Sequence, residues 1–257
     1  MQKTLLVCSP STRSFLPQYE HLHIVRGAPT KQTLKMMDTR SSVVAIGGGA
    51  VIDTAKIICS EPIICYPTTA AGSSNTSHSV CWDGKEKLSI KRFVPKDVII
   101  VDDFVNSLPS KAKEYTTYDV ISHCLDSLWS KKRTDESEHY ANLALKILRS
   151  KYSNSDLIQA GVYGGMAIEI CPTTILHALS YPLTAHYGIS HGQALGYLLP
   201  RVCRYYDFIL NDLINYEPIS LGNIDWDLIC SESLKYDKIY NTEKTINFKI
   251  LKKIVKN

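Results

Sequence analysis

The chain has 257 residues, of which 44% are hydrophobic and 21% are charged. This is the composition of an ordinary folded protein, and it excludes a disordered, collagen-like or coiled-coil chain as the dominant state. The 29 basic and 25 acidic residues give a formal charge of +4. That charge is too small and too dispersed to indicate a nucleic-acid-binding protein.

The apolar segments are short, and none approaches the roughly 20 residues of a membrane span. The run from Thr4 to Val7 is typical of a strand rather than of a secretory leader. Eight cysteines are scattered along the chain without a C-x-x-C pair, and several lie in apolar runs, which indicates reduced core residues. We therefore expect a cytoplasmic protein that binds neither nucleic acid nor membrane.

Short β-branched runs punctuated by glycine or proline fill the first hundred residues. Such runs are typical of buried parallel strands. They are Thr4–Cys8, His21–Val25, Ser42–Ile46, Pro62–Tyr66 and Val98–Val101. Helical patterns at Lys31–Met37 and Val51–Cys59 lie between some of them, so the pattern predicts a doubly wound α/β sheet.

The pattern changes at Ser107–Ser110, after which helices dominate. The predicted helices are Ser110–Trp129, Glu136–Leu148, Asp156–Glu169, Pro172–Ser180 and His191–Tyr206. Lysines and isoleucines alternate at helical spacing in the tail, which indicates a terminal amphipathic helix with a solvated lysine face. We predict two domains: an α/β dinucleotide-binding domain over residues 1–107 and an all-α metal-binding domain over residues 108–257.

Two loops of small residues follow successive predicted strands. Gly47-Gly48-Gly49 ends one strand and opens a helix, where backbone N–H groups can approach a pyrophosphate, although the pattern is not G-x-G-x-x-G. The second loop begins Pro67-Thr68-Thr69 and contains hydroxyl groups that can hydrogen-bond phosphate or ribose. Each loop alone is also compatible with a plain turn. Together they favour a shared nucleotide crevice, with Asp53 and Ser73 as further candidate contacts.

One carboxylate and three imidazoles form the strongest candidate site. Asp119 and His123 are spaced i, i+4 and so share one face of a helix, and His177 and His191 follow downstream. Such a set suits a borderline divalent cation, Fe(II) or Zn(II). Three other histidines are weaker candidates because nothing groups them with this set: His78, His139 and His186.

These segments together resemble the iron-containing (group III) alcohol dehydrogenase family. The matching stretches are VVAIGGGAVIDTAK, YPTTAAGSS, SLPSKAKEYTTYDVISHCLDSLWS and HALSYPLTAHYGISHGQALGYLLP. The resemblance implies a nucleotide-binding α/β domain and a helical domain with the active site between them. It implies that the metal ligands are Asp119, His123, His177 and His191, that the pyrophosphate loop is Gly47–Gly49, and that Thr68 and Thr69 contact the cofactor.

The implied function is a metal-dependent, NAD(P)-linked alcohol dehydrogenase or aldehyde reductase acting on a small-molecule alcohol or aldehyde, and a homodimer is compatible with it. Within the family, the stretch WDGKEKLSI is most similar to the phosphonoacetaldehyde reductase branch, which makes 2-hydroxyethylphosphonate. A phosphonate needs Arg or Lys contacts. The candidates are Lys85, Lys87, Lys131, Lys132, Arg133 and Arg201.

Several positions depart from the family pattern. Ala71, Gly72, Ser73 and Asn75 replace the usual Gly, Thr, Gly and Glu, and the chain is shorter than typical members. Two alternatives therefore stay open: a trimmed homologue that binds metal or nucleotide with little or no turnover, and a dehydroquinate synthase-like enzyme, although the latter should need more clustered basic residues.

Two further expectations concern single residues. Many family members carry a histidine, often given a proton-relay role, four residues after the third ligand. Here that residue is Tyr181, which becomes the candidate catalytic group, although Pro182 follows it and should disturb the helix face. No acid follows the first strand and Arg13 lies nearby, which favours NADPH slightly over NADH.

Overall fold

The computed structural model describes residues 4–14, 21–36, 42–106, 108–214 and 216–256. The strands are β1 (Leu5–Cys8), β2 (Leu22–Ile24), β3 (Val43–Gly47), β4 (Ile64–Pro67), β5 (His78–Asp83), β6 (Glu86–Lys91) and β7 (Asp97–Val98). The α-helices are α1 (Pro10–Arg13), α2 (Gly49–Ile58), α3 (Asp102–Asn106), α4 (Ser110–Leu128), α5 (Asp135–Leu148), α6 (Asn154–Ile170), α7 (Ile175–Tyr187), α8 (His191–Tyr205), α9 (Trp226–Ser233) and α10 (Phe248–Lys256). Short 3₁₀ helices lie at Lys31–Lys35, Gly72–Asn75, Leu210–Asp212 and Asp237–Asn241.

A parallel sheet with the order β2-β1-β3-β4-β7 forms the first part of the chain. Its central strands are almost fully apolar and buried, as expected for strands covered on both faces. Gly47 and Pro67 are partners in the β3–β4 register. The two small-residue loops therefore leave the sheet side by side at the carboxyl edge of the strands, where ligands bind in open α/β sheets.

In the α/β part of the chain, one predicted strand is shorter than expected and one predicted α-helix is a 3₁₀ helix. Of the run Val98–Val101, only Val98 lies in the sheet, in β7 (Asp97–Val98), because β7 is an edge strand and the chain turns into α3 at Asp102. The pattern at Lys31–Met37 forms a 3₁₀ helix that ends at Lys35, and Met37 lies outside the described residues.

An antiparallel hairpin, β5–β6, follows the second small-residue loop and was not predicted. Its two-residue turn is Gly84-Lys85, and Gly84 has a φ of 59°, in the left-handed region that glycine adopts readily. A glycine that opens a two-residue turn between two alternating segments is a hairpin signal. The sequence therefore contained a signal for the hairpin, but this stretch was interpreted only as a family motif.

The second part of the chain is helical, and α4 runs through its apolar core with α5, α6 and α8 packed around it. The predicted helices are present, with ends shifted by a few residues. The largest shift is in α7, which begins at Ile175 and continues through Pro182 to Tyr187. In α10, Leu251, Ile254 and Val255 are buried, as the amphipathic tail pattern predicts.

The two parts pack directly on each other through α6 and the loop after β4. A Cβ built on Gly161 would lie 2.4 Å from the carbonyl oxygen of Ala70, so only glycine permits this close approach. The predicted domain boundary, after residue 107, falls on Ser107, which lies outside the described residues. The α/β sheet followed by a helical part confirms the predicted fold class.

The cysteines are buried free thiols, as their apolar neighbours indicate. In the part of the chain that the structure describes, no helix is both long and apolar enough to cross a bilayer.

Candidate metal and nucleotide site

Asp119 and His123 lie one turn apart on α4, while His177 lies on α7 and His191 begins α8. The three imidazoles point at one carboxylate oxygen. The distance from Asp119 Oδ1 is 3.4 Å to His123 Nε2, 3.5 Å to His177 Nε2 and 3.5 Å to His191 Nε2. The structure therefore brings together the residues that the sequence singled out, from three separate helices.

Two of these atoms are buried without a hydrogen-bond partner: Asp119 Oδ1 and His177 Nε2. Buried acceptors without a donor are costly, and they are explained when a cation fills the space between them. One donor atom each from Asp119, His177 and His191 lie within 4.8 Å of one another, a spacing that suits a shared ion. One carboxylate oxygen and three imidazole nitrogens fit a borderline divalent cation.

The charges of the cluster depend on burial and on its own members. Burial raises the pKa of Asp119, but the three imidazoles outweigh it and hold that pKa well below its ordinary value. Burial lowers the pKa of His123 to about 4. Burial also opposes protonation of His177, yet the nearby carboxylates of Asp119 and Asp126 raise its pKa to about 9. His177 is therefore the imidazole that both carboxylates contact, Asp119 at 3.5 Å and Asp126 at 2.9 Å.

Asp126 orients His177 and was missed by the sequence analysis. Its fully buried carboxylate accepts hydrogen bonds from Thr174 Oγ1 at 2.8 Å, Leu176 N at 3.0 Å, and from N and Nδ1 of His177 at 3.2 and 2.9 Å. Burial raises the pKa of Asp126, but these hydrogen bonds outweigh it and lower the pKa. The Nδ1 bond directs Nε2 toward Asp119, which is how outer carboxylates position histidine ligands. The spacing 119, 123, 126 along one helix face could have revealed it.

The glycine loop and the threonine loop meet at the carboxyl edge of the sheet. Gly48 is the residue before the first turn of α2, and a Cβ built on it would lie 3.0 Å from Thr69 Oγ1. The amide of Thr68 donates to the carbonyl of Gly47 at 3.0 Å. Bare backbone at a helix N-terminus beside hydroxyl groups fits a pyrophosphate.

Asp53 and Ser73 lie behind this loop. Asp53 is buried on α2, where burial raises its pKa, and it is hydrogen-bonded to the side chain of Ser73. Asp53 Oδ1 is 3.7 Å from Nζ of Lys56, a fully buried lysine that the sequence analysis did not single out. Lys56 donates to the carbonyls of Ser73, Thr76 and His78 and so braces the segment between the loop and β5.

The two candidate sites adjoin each other. A Cβ built on Gly72, in the second loop, would lie 3.0 Å from His123 Cε1. At the other end, α1 is tied to the sheet edge by a hydrogen bond from Thr12 Oγ1 to the carbonyl of Ile46 at 3.0 Å. Arg13, the last residue of α1, therefore lies at the same edge as the glycine loop.

Tyr181 is buried one turn after His177 on α7, because the helix continues through Pro182; the expected disturbance of the helix face was wrong. Its ring centroid is 6.2 Å from that of His177 and 6.0 Å from that of His191. Burial raises the pKa of Tyr181, but nearby Lys238, Lys87 and the imidazoles outweigh it and hold the pKa well below its ordinary value.

Of the six basic residues expected to contact an anion, Lys87 alone lies against Tyr181. Lys85 is in the exposed hairpin turn, and Lys132 is also exposed. The remaining three are occupied elsewhere: Lys131 by the carbonyl of Tyr240, Arg133 by Glu138 and Glu243, and Arg201 by Tyr197. Lys238, which the sequence analysis missed, donates to the Tyr181 hydroxyl at 3.0 Å.

The chain is similar to several known proteins. Residues 113–215 match the Fe-containing alcohol dehydrogenase family, C-terminal. The phosphonoacetaldehyde reductase of Streptomyces viridochromogenes is 27% identical over 206 residues, covering 63% of this chain and 52% of that protein. The 4-hydroxybutyrate dehydrogenase of Clostridium kluyveri is 23% identical over 235 residues, covering 77% and 62%. The chain thus spans about half to three fifths of these relatives.

Solved structures show the same fold. The sulfoacetaldehyde reductase of Bifidobacterium kashiwanohense in complex with NAD+ superposes with a TM-score of 0.83 at 21% identity, covering 100% of this chain and 90% of that one. An iron-containing alcohol dehydrogenase from Thermotoga maritima gives a TM-score of 0.81 at 22% identity, covering 98% and 90%. Residues 113–215 thus match the C-terminal domain of the Fe-containing alcohol dehydrogenase family, and the solved structures show that the chain has the same fold.

Proposed function

We propose that the chain is a metal-dependent, NAD(P)-linked alcohol dehydrogenase that works as an aldehyde reductase. The observation that carries the proposal is the buried Asp119 Oδ1 with three imidazole nitrogens 3.4–3.5 Å away, next to a glycine loop at a helix N-terminus. The relatives support it, because their names are those of dehydrogenases and reductases of small alcohols and aldehydes.

In this proposal Asp119, His123, His177 and His191 hold Fe(II) or Zn(II), and the name of the matching family favours iron. When bound, the cation would polarise a carbonyl oxygen and the reduced nicotinamide would supply a hydride. Gly47–Gly49, Thr68 and Thr69 bind the nucleotide, with Asp53 and Ser73 supporting the loop. The products are an alcohol and the oxidised nucleotide, and the reaction consumes one proton.

The substrate we propose is phosphonoacetaldehyde, reduced to 2-hydroxyethylphosphonate. The support is the likeness to the Streptomyces viridochromogenes reductase and the cationic surroundings of Tyr181. The cofactor we favour is NADPH, because Arg13 ends α1 at the edge of the sheet where the glycine loop lies.

The direct test is absorbance at 340 nm with an aldehyde panel, after reconstitution with Fe(II) or Zn(II) and with NADH and NADPH compared. Reduction of an aldehyde supports the proposal. Nucleotide and metal binding without turnover would instead support the binding-only homologue, and turnover of a polyanionic dehydroquinate-synthase substrate would support the cyclising enzyme. A higher kcat/KM with NADH would contradict the NADPH preference.

Gly48→Val is expected to weaken nicotinamide-nucleotide binding by about 100-fold or more. The added Cβ would lie 3.0 Å from Thr69 Oγ1, and the branched side chain would occupy the space in which backbone approaches pyrophosphate. The measurement is a fluorescence titration with NADH and NADPH. Metal content and thermal unfolding of the variant serve as controls, and an unchanged nucleotide affinity would contradict the role of this loop.

Tyr181→Phe is expected to lower kcat by about 10²-fold on both phosphonoacetaldehyde and a neutral aldehyde of similar length. The buried hydroxyl beside His177 and His191 is the side-chain group that we expect to pass a proton to the developing alkoxide. Tyr236→Phe is the matched control, because its ring packs edge-on against Tyr181 at 5.3 Å. Full kcat of the Tyr181 variant on both substrates would remove it from the mechanism.

A further inference from the structure

We propose that Lys87 and Lys238 form a subsite for a negatively charged group on the substrate, so that the enzyme selects short aldehydes that carry a phosphonate, sulfonate or carboxylate. The inference rests on the proposed reductase function and names the substrate class of that site. It assigns recognition of the anion to two residues that lie 151 positions apart in the sequence.

Lys87 reaches the site from the hairpin. It lies on β6, a strand of the antiparallel hairpin, and its side chain is directed at α7. Its Nζ lies 3.3 Å from the centroid of the Tyr181 ring. An ammonium in this position is attracted by the face of the ring, which holds it in place without neutralising its charge.

Lys238 reaches the same tyrosine from the opposite end of the chain. It lies on the 3₁₀ helix Asp237–Asn241, and its Nζ donates to the hydroxyl of Tyr181 at 3.0 Å and to Thr173 Oγ1 at 2.8 Å. Thr173 Oγ1 is a neutral acceptor, and Tyr181 can offset at most one of the two positive charges. The two ammonium groups therefore converge on one side chain from two distant segments.

Neither lysine has an acidic partner in the parts of the chain that the structure describes, where no carboxylate lies within salt-bridge distance of either Nζ. Other lysines do have such partners. Lys31 forms an ion pair with Asp83 at 2.7 Å, and buried Lys56 donates hydrogen bonds to three backbone carbonyls. Asp53 acts on Lys87 only from longer range and already lies beside Lys56. Two half-buried cations so close together favour an anion from outside.

The position of Lys87 and Lys238 limits the length of the substrate. Tyr181, which both lysines contact, stacks on the His191 ring at 6.0 Å. A substrate with its carbonyl oxygen at the three imidazoles and its anionic group at the lysines must therefore be short, with the anion a few bonds from the carbonyl. Charge-assisted contacts from two lysines suit a phosphonate best, because its three acceptor oxygens carry up to two negative charges, whereas a sulfonate or a carboxylate carries one.

The binding test uses ethylphosphonate, which has the anion but no carbonyl, titrated calorimetrically into the metal-loaded protein with and without NADP+. Lys87→Met and Lys238→Met are each expected to weaken its binding by about 10- to 100-fold. Lys91→Met, an exposed lysine on the same strand, and Lys235→Met, an exposed lysine near Lys238, are matched controls expected to change it by less than about twofold. Absence of ethylphosphonate binding to the wild type would overturn the inference.

The kinetic test compares kcat/KM for phosphonoacetaldehyde and for propanal. In Lys87→Met the ratio of the two is expected to fall by about 10- to 100-fold, through KM of the anionic aldehyde. If kcat/KM falls equally for both aldehydes and ethylphosphonate binding is unchanged, the lysines only position Tyr181. If NADPH binding is weakened instead, the lysines belong to the nucleotide site. Each of these results overturns the inference. If the wild type reduces no aldehyde, the proposed function fails, while the titration still decides the anion subsite.

Discussion

Bound metal is expected to fall from about one ion per chain to background when Asp119 and His123 are both replaced by alanine. The two residues supply an oxygen and a nitrogen 3.4 Å apart on one helix, and Asp119 Oδ1 is the atom to which all three imidazoles point. Without it the remaining histidines have no charged ligand beside them. Loss of the cation should also lower aldehyde turnover by at least about 10³-fold.

The measurement is elemental analysis of protein purified without chelator and of protein reloaded anaerobically with Fe(II) or with Zn(II). His139→Ala is the matched control, since His139 is an exposed histidine on α5. Thermal unfolding of each protein without added metal shows that the variant is folded. Equal metal content in the double variant and the wild type would remove Asp119 and His123 from the role of ligands. A preference between the two cations in the reloaded wild type decides between iron and zinc.

The helices, the strands and the proposed ligand pair that follow from sequence periodicity could be predicted. Asp119 and His123 could be placed together because the i, i+4 relation is fixed by helix geometry. The sheet edge that joins Gly48 and Thr69 could be placed because both loops follow buried parallel runs. In each case a local pattern determines the geometry, so the prediction needed no knowledge of which distant segments pack against it.

The parts that were missed depend on tertiary packing. Lys238 follows Tyr181 by 57 residues and lies in a 3₁₀ helix with no strong pattern. Lys87 was one of six candidate basic residues, and the sequence alone did not distinguish it from the other five. Nothing local indicates that both reach the same ring. The continuation of α7 through Pro182 is similar, since burial in the core outweighs the hydrogen bond that proline removes.

For Asp126, the sequence shows its position on the helix face but not the groups to which it hydrogen-bonds. Its i+7 relation to Asp119 indicates the same helix face, but the donors that it serves come from the start of α7 and just before it. Each carboxylate oxygen accepts two hydrogen bonds: Oδ1 from Thr174 Oγ1 and Leu176 N, and Oδ2 from N and Nδ1 of His177. The residue therefore both closes the α4–α7 junction and orients a proposed metal ligand.

Asp126→Asn is accordingly expected to have two separate effects. An amide can offer only one acceptor oxygen, so two of the four buried donors would face an NH₂ group, which should lower the free energy of unfolding by about 3 kcal/mol. Free rotation of His177 should in addition weaken metal binding by about 10- to 100-fold. Chemical denaturation measures the first effect, and competition with a chelator, carried out well below the unfolding transition, measures the second.

The matched control for this carboxylate is Glu114→Gln on the same helix, whose side chain accepts a hydrogen bond from the Tyr118 hydroxyl at 2.8 Å. It lies away from the imidazoles, so stability should change by less than about 1 kcal/mol and metal affinity should stay at the wild-type value. An Asp126→Asn variant that is destabilised but retains wild-type metal affinity would show that Asp126 only closes the helix junction. Loss of affinity in the folded variant is the result that the Nδ1 hydrogen bond leads us to expect, because it holds Nε2 of His177 toward Asp119.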